Sequence, residues 1–191
     1  MATQAAEELI SALTRRRASG EIVPADSALA ALSAKLEEWG VRRVVLADDP
    51  FLDQLGAADA LGGAGVEVLV WPPQLGAQEL LGLEGPTATC GVSVPVAAVG
   101  PRGTLMLAAS AGQGRALDAA AAYHVSIVPS DRLFDSLSDA LAHVYREGHP
   151  PSALSLVSAP SRTSDIEKIS TLGAHGALGL HAVVVDTLSL I

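Results

Sequence analysis

The chain has 191 residues, which suits one domain or one domain with a small appendage. Hydrophobic residues make up 49% and charged residues 17%, which excludes intrinsic disorder; with aromatics at only 3%, the core must be built from Ala, Val, Leu and Ile. The net charge is −9 and there is no basic stripe beyond Arg15, Arg16 and Arg17, which argues against nucleic acid as the main partner yet leaves a local arginine able to hold a small anion.

Residues 5–14 place Ala6, Leu9, Ile10 and Leu13 at helical spacing, so an amphipathic helix is expected. The polar RRRASGE that follows reads as a linker. A second helix is expected over 26–39, with Asp26 as N-cap and Gly40 as stop. VRRVVLAD (41–48) is the first clear strand. PFLDQLGAADALGGAG reads as a helix ending in glycines, and VEVLVWP (66–72) as a second strand closed by prolines. That order implies a parallel pair with a right-handed crossover.

The middle changes character. CGVSVPVAAVGPRGTLMLAAS (90–110) has two β-rich runs around GPRG, where Pro101 suits the second position of a tight turn and Gly103 the fourth. A β-hairpin is expected there. ALDAAAAYH (116–124) reads as helical, HVSIVPS (124–130) as a strand, and residues 130–148 as a helix. ALSLVSA (153–159) reads as a strand, 164–172 as a short helix and LHAVVVDTL (180–188) as a final strand. Alternating strands and helices with a hairpin inserted midway predict a layered α/β domain with a mixed, mostly parallel sheet. Residues 1–40 read as an N-terminal helical lead-in to a domain over 41–191.

Cys90 stands alone, so the chain has no internal disulfide and cannot hold an iron–sulfur cluster with four of its own thiolates. The N-terminus lacks the basic start and continuous apolar run of a signal peptide, and no stretch approaches ~20 apolar residues. A soluble, cytoplasmic protein without a membrane partner is expected.

The polar residues collect in SAPSRTSDIEKISTLGAHGALGL (158–180). Ser164 and Glu167 have capping-box spacing, which places Ser161, Arg162 and Thr163 between a strand end and a helix start. Ligands bind at such junctions in α/β sheets, and a guanidinium beside free backbone N–H groups suits an anion. On the other reading, Ser164, Asp165 and Glu167 only cap the helix and Arg162 pairs with one of the acids.

APSRTSDIEKISTLGAHGALGLHAVVVD (159–186) resembles the C-terminal signature of the LUD-domain, lactate utilization protein C family. That signature runs Gly-Pro-Ser-(Arg)-Thr-Ala-Asp-Ile-Glu, then Gly-x-His-Gly-Pro, then an apolar strand. Pro160, Ser161, Arg162, Thr163, Asp165, Ile166, Glu167, Gly173, His175 and Gly176 match it. Upstream, Gly103 and Thr104 in GTLMLAAS, then Arg115 and His124, resemble family positions more weakly. Pro101-Arg102 stands where the family has Glu-Thr, and Ala177 replaces the Pro after His-Gly.

The resemblance implies a fold like the NagB/RpiA/CoA-transferase superfamily and a link to oxidation of L-lactate to pyruvate, alongside iron–sulfur partner subunits. With the motif match, His175 and Asp165 are the candidates for the chemistry, and Ser161, Arg162, Thr163, Glu167, Gly176, Gly103, Thr104, Arg115 and His124 the candidates for binding a small carboxylate or phosphate-bearing ligand. The plain alternatives are a loop His175 bonded to a backbone carbonyl, a surface Arg115 and a structural His124. A sugar-phosphate isomerase-like or CoA-transferase-like enzyme, or a non-catalytic assembly protein, is the alternative. His175 and His181 lack the companion ligands of a standard metal site. Asp48 and Asp49 end a strand, where capping is their first role. Ser110 and Ser161 have no adjacent hydrolase pattern.

Overall fold

A computed structural model describes residues 2–72, 88–146, 151–164, 170–172 and 177–187. The chain opens with helix α1 (Ala2–Thr14), whose Leu9 and Leu13 are fully buried. Burial of a leucine side chain contributes about 1.5–3 kcal/mol, so this stripe fixes the helix to the body. Arg17 turns the chain at φ 65°, and strand β1 (Ser19–Pro24) follows where the polar run reads as a linker. Its polar composition suits a sheet edge, where one side of the strand meets water. Within the first 40 residues the lead-in therefore contains a strand as well as helices.

A 3₁₀ turn (Ala25–Ser27) precedes α2 (Ala28–Glu38). Asp26 lies inside that turn and bonds Ser27 rather than capping the helix. Gly40 follows α2 at φ 65°, a left-handed conformation suited to glycine. Strand β2 (Arg43–Leu46) leads into α3 (Pro50–Leu55) and α4 (Ala57–Gly63), then β3 (Glu67–Val70). The single helix expected over 50–65 is two, because Gly56 at φ 69° ends one and starts the other.

Next come β4 (Thr89–Ser93), β5 (Ala97–Val99) and β6 (Thr104–Ala108). The expected hairpin is β5–β6, paired antiparallel around GPRG, while Cys90 to Ser93 belong to β4 in the main sheet. The Ala-rich segment gives only a short helix, α5 (Ala116–Ala119), before β7 (Tyr123–Pro129). Residues 130–148 are not one helix. A 3₁₀ turn (Ser130–Arg132) and strand β8 (Leu133–Phe134) come first, and α6 (Leu137–Val144) starts where the Ser136 hydroxyl accepts the Asp139 N–H at 3.1 Å. Leu133 and Phe134 pair with Ala98 and Val99, which satisfies backbone groups a helix would otherwise use.

The last elements are β9 (Leu154–Val157), β10 (Arg162–Ser164), β11 (Ser170–Leu172) and β12 (Gly179–Asp186). The short helix expected over 164–172 is corrected at both ends. Ser164 pairs with Ser170 and Arg162 with Leu172 in an antiparallel ribbon. Local capping-box spacing loses here to cross-strand pairing around the β-branched Thr163 and Thr171.

The main sheet is parallel throughout, in the order β1-β12-β7-β4-β2-β3. A second, mixed sheet has the order β8-β5-β6-β9. Three cores stack between the layers. One joins α2, α3 and α4 to the main sheet through Leu32, Leu36, Val44, Leu61 and Val92. The second joins α1 and both sheets through Leu9, Leu13, Ala98, Leu105 and Val184. The third seats α6 on the second sheet through Ala140, Val99 and Met106. The fold is thus the layered α/β arrangement with a mostly parallel sheet and an inserted hairpin.

Candidate functional site at the carboxyl ends of β2 and β4

The strand order sets the place to look. The chain leaves β2 towards β3 on one side, and leaves β4 towards β7 on the other. Adjacent parallel strands with connections running in opposite directions open a crevice at their carboxyl ends, the usual ligand position in such sheets. Here the crevice lies beyond Leu46 and Ser93.

A loop of this chain, SAGQGR (110–115), is wedged across that crevice. The Asp48 N–H donates to the Gly112 carbonyl at 2.8 Å, and the Val94 N–H donates to Gln113 Oε1 at 2.9 Å. The loop clips itself as the Gln113 N–H donates to the Ser110 hydroxyl at 3.0 Å. Its glycines are required by close approach. A Cβ on Gly112 would lie 2.2 Å from the Asp48 carbonyl oxygen, and one on Gly114 would lie 2.0 Å from the Trp71 ring.

Two hollows flank the loop and share Ala108 and Ala109. The inner one, of about 10 Å³, has room for a water-sized group and is lined by Ser93, Gln113, Arg115 and Ser155 among others. The outer cleft, of about 590 Å³, is lined on its polar side by Asp49, Ser110, Arg132, His143 and Arg146. Arg132 comes from the turn after β7, and its guanidinium donates to the Pro95 carbonyl at 3.0 Å, which orients it. His143 comes from the last turn of α6, its ring 5.1 Å from that of Phe134. Asp49 caps α3 by accepting the Phe51 N–H at 2.8 Å. Among the described residues, neither Arg132 nor Arg146 forms an ion pair, unlike Lys35 with Glu38 and Arg43 with Glu67. Two arginines and a histidine beside one carboxylate favour an anion, and Arg supplies the planar fork that carboxylates and phosphates accept.

His124 is buried on β7, and its Nε2 lies 2.7 Å from the Ser93 hydroxyl. Burial pushes its pKa down to about 4, so the ring is neutral at pH 7. Ser93 in turn donates to Ser126 at 3.4 Å. This polar line stands behind the inner hollow and is closed to solvent. It can position Ser93, whereas direct ligand contact by His124 needs the layers to part.

The other expected site residues fall elsewhere. Arg115 is exposed and lines the inner hollow. Gly103, at φ 58°, packs against α1, and the Thr104 hydroxyl lies 3.0 Å from that of Ser158. The Ser161 N–H donates to the Ala177 carbonyl, and the Leu178 N–H to the Ala122 carbonyl, so this region meets the main sheet at the amino ends of β7 and β12. Arg162 and Thr163 are described by their backbone in β10, while Asp165, Glu167, His175 and Gly176 lie outside the described residues. His181 is buried, its Nδ1 2.8 Å from the Ser19 hydroxyl and its Nε2 3.3 Å from Glu21.

Sequence reasoning passed over Arg132, His143, Arg146 and Gln113. Arg132 and Arg146 sat inside a segment read as one helix. The usable signal was SAGQGR, a glycine-spaced loop with polar side chains directly after a strand.

A family model described as LUD domain matches residues 2–185. The lactate utilization protein C of Halalkalibacterium halodurans is 28% identical over 160 residues, which cover 82% of this chain and 68% of that protein. That of Shouchella clausii is 27% identical over 159 residues, with 82% and 68% covered. The crystal structure of a DUF162 family protein from Deinococcus radiodurans superimposes with a TM-score of 0.70 over 97% of this chain and 99% of that one; at 22% identity it shows a shared fold. With the signature at 159–186, the match along nearly the whole chain and the common architecture, this protein belongs to the LUD domain family.

Proposed function

We propose that this protein acts in lactate utilization, binding a small anionic ligand in a system whose iron–sulfur clusters sit on partner subunits. The relatives named lactate utilization protein C support the pathway. The observation that carries the ligand class is the outer cleft. In a chain of net charge −9, Arg132 and Arg146 both line it without an ion-pair partner among the described residues, and His143 lines it with them. Asp49 opposes them with a single charge, already engaged in capping α3.

Cys90 supports that division of labour. It is the one cysteine, fully buried, and burial pushes its thiol pKa up to about 12. A neutral thiol sealed in the core is not a cluster ligand. In this reading the clusters sit on partner chains, and this chain contributes ligand binding or assembly. The signature residues Ser161, Arg162, Thr163, Asp165, Glu167, His175 and Gly176 are a second location for the same anion, favoured by the motif match alone.

Deleting the protein from its host tests the pathway. Growth on L-lactate should fail while growth on pyruvate continues. Equal growth on both would contradict the reading. Lactate oxidation by the purified chain alone would move the assignment to the enzyme alternative.

A further inference from the structure

We infer that the outer cleft is built for a phosphate ester carrying an organic body, and that free lactate is not its preferred occupant. The inference rests on reading the cleft as an anion site. Three features decide the class.

The first is the number of donors. A phosphate monoester carries about −1.5 to −2 at pH 7 and offers three acceptor oxygens. A carboxylate carries −1 and is saturated by one arginine fork. Arg132 and Arg146 together, with His143 and Ser110 also lining the cleft, offer more donors than one carboxylate uses. Asp49 and the negative end of α6 cancel part of the arginines' charge, so donor number decides the class: the three oxygens of a phosphate can accept from both arginine forks, whereas one carboxylate is filled by a single fork.

The second is size. The cleft measures about 590 Å³, within the range of about 300–1,000 Å³ typical of sites for drug-sized ligands. A three-carbon acid would leave most of it to water. The third is the remaining lining. Val96, Ala109, Val144 and Pro151 also line the cleft. Such apolar surface has nothing to do for a bare anion but can cover a sugar or base attached to a phosphate.

The test is titration calorimetry of the full chain with adenosine diphosphate, a hexose phosphate, a triose phosphate, inorganic phosphate and L-lactate. At least one of the esters should bind roughly tenfold or more tightly than inorganic phosphate and than lactate. Arg132→Ala and Arg146→Ala should each weaken that ester by roughly tenfold. Arg146 is exposed, so its variant keeps the fold even if Arg132, bonded to Pro95, does not tolerate change. Lactate binding that exceeds every ester and is lost in Arg146→Ala overturns this inference and leaves the anion-site reading standing. Ester binding that is unchanged in both variants, or no binding by any of the five probes, overturns both.

Discussion

Two buried side chains carry measurable consequences on their own. His124 is held neutral by burial with a pKa of about 4, against about 6.5 for an unfolded histidine. Between those values the unfolded chain binds the extra proton. Stability is therefore fully present above about pH 6.5 and is lost as pH falls towards 4. The shift corresponds to about 3 kcal/mol. His181 adds to the same slope, since burial and Lys35 lower its pKa while Glu21 resists. His124→Asn keeps a polar partner for Ser93 but removes the titration. Urea melts between about pH 7 and pH 4.5 should show a clearly shallower loss of stability in that variant than in the wild type. An identical slope would mean that His124 is not the buried titrating group. The second side chain is Cys90. Sealed in the core as a neutral thiol, it should resist thiol reagents in the native protein and react only at the rate of unfolding. Rapid labelling of the native chain would show that the β4 core opens.

At the scale of elements, the cleft depends on how α6 and the 110–115 loop are held. Ser136→Ala removes the cap of α6 and should lower stability by about 1 kcal/mol. It should also weaken any anion bound beside His143, on the same helix. Undiminished binding after a measured loss of stability would detach the site from α6. The loop is tested by Gly112→Ala, which forces a Cβ to within 2.2 Å of the Asp48 carbonyl oxygen. A cost of about 1–3 kcal/mol is expected from such overpacking. Gly62→Ala, with no heavy atom within 4 Å of the added Cβ on α4, should be neutral or stabilising. Denaturant melts of the two variants should differ in that order, and equal stabilities would mean the loop is not wedged as described.

These elements also explain what was legible beforehand. VRRVVL, HVSIVP and LHAVVVD became β2, β7 and β12, because strands buried on both faces read as continuous apolar runs. Strand β1 was hidden because SGEIVP is an edge strand, and its pairing with β12 crosses some 160 residues of sequence. The SxxE spacing at Ser164 predicted a helix because local patterns carry no information about β11 as a partner.

For the molecule as a whole, family and layered architecture were written in motif order and in the alternation of strands with helices. The site was not. Residues 49, 110, 132, 143 and 146 have no spacing that sequence periodicity could reveal, and only the strand order brings them to one rim. Asp49 was the visible member, because it ends a strand and begins a helix. Of the signature stretch, Ser161, Ala177 and Leu178 meet the main sheet at the amino ends of β7 and β12, on the far side of the strands from the crevice between β2 and β4. The proposed anion site is defined by its place, the carboxyl end of the sheet. Calorimetric titrations of one anion series (lactate, pyruvate and the phosphates) into Arg132→Ala and Arg162→Ala side by side test it most directly. A loss of roughly tenfold or more in affinity is expected for Arg132→Ala and little change for Arg162→Ala. Full affinity in Arg132→Ala, with binding lost in Arg162→Ala, would contradict it.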